Sequence, residues 1–133
     1  MLHLVLLVSL LGGPIPPRAA ADSVRPDDDV RQVALRHSTE IRQCYESRGL
    51  KVNPELSGTL EVELIVLPTG RVDSASVSAS ELAGPGKQEV ESCVVENVRN
   101  WRYERGPFAK ESIVYPFQLT RDRPGAATAL QSS

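Results

Sequence analysis

Apolar residues recur every three or four positions after Asp27-Asp28-Asp29, at Val30, Val33, Ala34, His37, Ile41, Cys44 and Tyr45. This spacing predicts one amphipathic helix running from the acidic triplet to about Gly49, with the carboxylates set against the unpaired N–H groups and positive end of the helix dipole. Gly49 suits a left-handed helix terminus. Over 57–67 the period drops to two, Leu60, Val62, Leu64 and Val66 alternating with Thr59, Glu61, Glu63 and Ile65, which predicts a strand with one wet face. Pro68-Thr69-Gly70 supply a tight turn into a second strand over 71–79. Val72 is out of phase there with Ala75, Val77 and Ala79, so a bulge is expected near Asp73-Ser74. After the break at Gly84-Pro85-Gly86, the spacing of Val90, Cys93, Val94, Val98 and Trp101 predicts a second helix over 87–101. Ile113, Tyr115, Phe117 and Leu119 then alternate with Val114, Pro116 and Gln118 as a last strand. Pro116 cannot donate a ladder hydrogen bond, which marks that strand as an edge.

The order helix, strand, strand, helix, strand restricts the topology. A right-handed crossover through the second helix sets the last strand beside the first, giving a three-stranded antiparallel sheet in the order 2-1-3. Both helices then cover one face, and the expected fold is an α+β two-layer sandwich. The domain is expected over 29–120, behind a linker at 22–28. Residues 121–133, Arg-Asp-Arg-Pro-Gly followed by Ala, Thr and Ser without periodicity, read as a disordered tail.

Composition narrows the function. The 133 residues allow one small domain, and 15 Lys+Arg against 17 Asp+Glu, with no basic cluster, argue against nucleic acid as a partner. The apolar run 2–11 is about half the roughly 20 residues a spanning helix needs, so no integral membrane span is expected. Gly12-Gly13-Pro14 and the small triplet Ala19-Ala20-Ala21 follow that run, the pattern of a secretory signal over 1–21 cleaved after Ala21. The expected location is therefore periplasmic or secreted.

Cys44 and Cys93 fall on the inward stripes of two helices that share a sheet face. In a secreted chain such a pair is more often a disulfide than two free thiols. A thiol redox role is weaker because no C-x-x-C spacing is present, and a zinc site is weaker still with two Cys and one His in the mature chain. Neither metal nor cofactor is expected. An enzymatic alternative would pair His37 with Glu40 or with Cys44 as nucleophile, but an inward position favours a packed, hydrogen-bonded histidine. Trp101 and Tyr103 could form a binding platform; Trp101, continuing the apolar stripe, reads as core. Tyr45 is expected at the rim of the helix interface, and Arg42, Arg48, Arg99 and Arg102 on a solvated charged face.

In this order the chain resembles the AgmX/PglI C-terminal domain family, a branch of TonB-like C-terminal domains. The residues that carry the resemblance are Ile41-Arg42-Gln43-Cys44-Tyr45-Glu46, Asn53-Pro54-Glu55-Leu56-Ser57-Gly58, Pro68-Thr69-Gly70-Arg71-Val72, Cys93, Val98-Arg99-Asn100-Trp101-Arg102-Tyr103 and Tyr115-Pro116-Phe117. Glu104-Arg105-Gly106-Pro107 departs from the family, which usually continues with a proline and a Gly-rich turn. The resemblance implies a TonB-like fold and a non-enzymatic protein-binding role in the cell envelope, in systems linked to transport and gliding motility. It also implies that the edge strand binds: Ile113, Val114, Tyr115, Pro116, Phe117, Gln118 and Leu119 would take an envelope protein or an extended peptide by strand addition. The competing expectations are an edge that Pro116 merely protects, in a purely structural envelope component, or a small thiol protein using Cys44, Cys93 or His37. Oligomeric state is not set by the sequence.

Overall fold

The computed structural model describes residues 12–13 and 23–121. Apart from Gly12 and Gly13, the expected signal segment with its cleavage point at Ala21 lies outside the described residues, as does the tail beyond 121. The elements are α1 (Asp27–Arg36), α2 (Ser38–Cys44), β1 (Gly58–Val66), β2 (Val72–Ser80), α3 (Lys87–Arg99) and β3 (Glu111–Leu119). The sheet is antiparallel in the order β2-β1-β3, with the helices on one face, an α+β sandwich as expected.

The first helix is not continuous. His37, with φ −101° and ψ 9°, interrupts it, and α2 resumes at Ser38, whose hydroxyl donates to Leu35 O at 2.8 Å. A serine bonded to a nearby carbonyl competes with helical pairing, and a single displaced residue leaves the apolar spacing intact. Beyond Cys44 the turns widen into a π-helical stretch, Tyr45–Leu50. Gly49 does not end it in a left-handed conformation. A Cβ there would lie 2.7 Å from Val90 Cγ2 and 2.8 Å from Leu56 Cδ2, so this glycine permits close packing of the stretch on α3. Tyr45 is not at a rim either: it is fully buried, and its hydroxyl donates to Leu56 O.

Leu60, Val62, Leu64 and Val66 form the floor of the core, opposed by Ile41, Val90, Val94 and Val98 from the helices. Trp101 is completely buried and edge-on to Tyr115 and Phe117, so neither it nor buried Tyr103 is a surface platform. In β2 the expected bulge falls at Asp73, which is skipped between the pairs Ile65↔Ser74 and Val66↔Val72. A second bulge skips Ser78 and turns Ala79 to the wet face opposite Glu61, correcting its expected inward position.

Residues 23–28 are not a free linker. Ser23 bridges Phe108 in parallel, and Asp27 and Asp28 already belong to α1. Arg25 is 2% exposed: Nη1 donates to Glu104 O at 2.6 Å, Nη2 to Leu67 O at 3.1 Å, and its guanidinium lies 4.4 Å from the Phe108 ring centroid. Glu111 faces Nε at 3.8 Å. Replacing Arg25 with Met keeps the apolar stem but removes the charge-assisted bonds, and should cost about 2 kcal/mol in urea unfolding. Limited proteolysis should then cut near Ser23; an unchanged digestion pattern would refute the clamp.

Candidate functional site

The exposed edge of the sheet is defined by the parity of its hydrogen bonds. Leu67 N donates to Arg71 O at 2.9 Å and Thr59 O accepts from Glu81 N at 2.9 Å, so odd residues of β1 direct their backbone groups to β2. Even residues of β1 therefore face β3, where the unbroken register sets Leu60 opposite Phe117, Val62 opposite Tyr115 and Leu64 opposite Ile113. It follows that Ser112, Val114, Pro116 and Gln118 direct their backbone groups outward. Pro116 thus costs the sheet no ladder bond. Three N–H groups and four carbonyls remain in the open row, and among the described residues no backbone hydrogen bond reaches them. Side chains alternate in step: Tyr115, Phe117 and Leu119 are buried, whereas Val114 and Gln118 are exposed.

Beside this row lies a groove of about 250 Å³ between β3 and the start of α1, walled by Val24, Val30, Ile113 and Val114, with Asp27 and Glu111 also in its lining. Val24 (74%) and Val114 (49%) are two of the four large apolar side chains exposed among the described residues. Just upstream of β3, Ser23 bridges Phe108 and its carbonyl accepts from Ala109 N at 3.1 Å, and the row from Ser112 to Gln118 is left open. The opposite edge, β2, is interrupted by both bulges, a less regular template for another strand.

Tyr115 also lines the groove, and its hydroxyl, like that of Tyr103, is buried without a hydrogen-bonding protein partner. Burial pushes the Tyr115 phenol up to about 12, and raises Tyr103 as well, with neighbouring Tyr115 adding to the effect. The folded form therefore keeps protons that the unfolded chain releases above about pH 10. Stability should be independent of these groups below pH 10 and fall as pH rises from there toward 12. Tyr115→Phe should cost less than about 1 kcal/mol at pH 7, since no bond is lost, and should flatten the alkaline decline in urea midpoints. An equally steep decline would count against the assignment.

Cys44 and Cys93 are joined in a disulfide with Cα atoms 5.6 Å apart. His37 stacks on Trp101 with centroids 5.2 Å apart, and its Nδ1 lies 2.8 Å from Glu40 Oε2. The pairing with Glu40 exists, but the nucleophile it would serve, Cys44, is held as a disulfide. Among the described residues no cluster of three or more His, Cys, Asp or Glu is placed to hold a metal ion, and no helix is long and apolar enough to cross a membrane. Arg25 was invisible as a candidate, because its partners stand 42 to 86 positions away. Compared with family models, curated proteins and solved structures, the chain finds no match in any of the three.

Proposed function

We propose that this chain is a non-enzymatic interaction module of the TonB-like AgmX/PglI type, acting in the periplasm or outside the cell, that captures an extended segment of an envelope protein on β3. The observation that carries the proposal is the row of outward N–H and C=O groups from Ser112 to Gln118 beside an apolar groove. An added strand would complete those groups while its alternate side chains enter the groove. The disulfide fits an oxidising compartment. A link to envelope transport or gliding motility follows from the family resemblance alone.

Val114→Pro tests strand capture without cutting the fold, because the N–H it removes points away from β1. Zero-length cross-linking in envelope extracts should yield a partner adduct with the wild type and at least tenfold less with the variant at unchanged thermal midpoint. Undiminished capture would overturn addition to this edge. Val114→Thr, which retains the N–H, should capture normally.

A further inference from the structure

A cavity of about 540 Å³ lies along the outer side of α3, and one half of the disulfide, Cys93, is among its lining residues. Its wall includes Cys93 with Arg48, Glu89, Ser92, Glu96 and Asn97. Cys44 is not part of that wall and is 3% exposed, packed into the core beside Tyr45, whereas Cys93 is partly open. Exchange at a disulfide proceeds by a thiolate approaching one sulfur in line with the bond that breaks, so access decides which sulfur is attacked.

We propose that the Cys44–Cys93 disulfide is a thiol-exchange site entered only through this cavity, with Cys93 Sγ as the sulfur attacked and Cys44 as the leaving sulfur, the reactant being a dithiol reductant. In the first step the incoming thiolate donates its electron pair to Cys93 Sγ and forms a mixed disulfide. The Cys44–Cys93 bond breaks, and its electron pair leaves on Cys44 Sγ, which takes a proton from water. The second thiol of the reductant, as thiolate, then attacks its own sulfur in the mixed disulfide and releases Cys93 as a thiolate, which is protonated. The dithiol has become a disulfide, and the domain carries two thiols. Arg48 is the cation on the cavity wall and favours the approach of an anionic sulfur, while Glu89 and Glu96 oppose thiols that carry carboxylates of their own.

The route differs from reduction after unfolding in two measurable ways. Folded wild-type protein treated briefly with the monothiol probe 2-mercaptoethanol, then acid-quenched and mapped by mass spectrometry, should carry the adduct on Cys93 in at least tenfold excess over Cys44. The opening rate with dithiothreitol should rise linearly with its concentration instead of levelling at an unfolding rate. Ser92→Trp, which crowds the cavity from an exposed position of α3, should slow opening at least tenfold with an unchanged thermal midpoint. Equal labelling of both cysteines, or a rate independent of thiol concentration, would overturn the proposal. Because the mapping and the rate law use the wild type, the outcome does not depend on the variant folding.

Discussion

A variant carrying Cys44→Ala and Cys93→Ala is expected to be about 4 kcal/mol less stable than the wild type, the loop-closure entropy of a 49-residue separation. That is a large part of the roughly 5–15 kcal/mol by which domains are stable at all. The loss is severe here for a structural reason. The disulfide joins the end of α2 to the middle of α3, and the neighbouring turns are a π-helical stretch, Tyr45–Leu50, whose backbone pairing is looser than that of an α-helix. Without the bridge, the stretch is held to α3 by packing such as that of Gly49 against Val90, while the Tyr45–Leu56 hydrogen bond ties it only to the loop before β1. Urea unfolding of the variant and of reduced, alkylated wild type should give midpoints lowered by similar amounts. A loss under about 1 kcal/mol would mean that the unfolded chain is already compact enough to hold the two cysteines near each other.

The elements were legible because one-sided burial writes itself into spacing. Leu60, Val62, Leu64 and Val66 are all fully buried, and no other period accounts for them. The bulge at Asp73 left the same kind of mark, since an apolar residue on each side of it must face inward. Its counterpart at Ser78 left none: Ala79 is small enough for either face, and only the register places it outside. The break at His37 was hidden for a similar reason, one displaced residue leaving the positions of Val33, Ala34 and Ile41 on a common face. At the edge, Pro116 announced that β3 has an unpaired side. Which backbone groups face that side follows from the parity of β1, a property of pairing that no local pattern carries. The Arg25 clamp was wholly illegible, being assembled from Leu67, Glu104, Phe108 and Glu111.

Gly70→Ala should be as damaging as loss of the disulfide, at about 3–5 kcal/mol, although it adds only one methyl group, at the buried end of the turn. Two costs coincide. Gly70 has φ +90°, which an L side chain tolerates only at a cost of about 1–2 kcal/mol. The added Cβ would lie 2.0 Å from Tyr103 O, a backbone atom that cannot swing aside as a side-chain end can. Moving it strains the hydrogen bond from Tyr103 N to Gly70 O (2.8 Å), the adjoining Arg71↔Arg102 bridge and the turn bond from Gly70 N to Leu67 O (2.8 Å). Leu67 O also accepts from Arg25 Nη2, so the displacement reaches the Arg25 clamp and the segment that bridges Phe108. Gly49→Ala is the informative comparison. Its Cβ meets side-chain atoms of Val90, Leu56 and Tyr45 and no backbone, its φ is not left-handed, and alanine regains about 0.5–1 kcal/mol of helical preference. Urea midpoints should therefore place Gly70→Ala below Gly49→Ala by more than about 1.5 kcal/mol. The reverse order would show that the turn yields more easily than the packed helical stretch, and that the Tyr103–Gly70 contact does not hold the hairpin to the chain leaving α3.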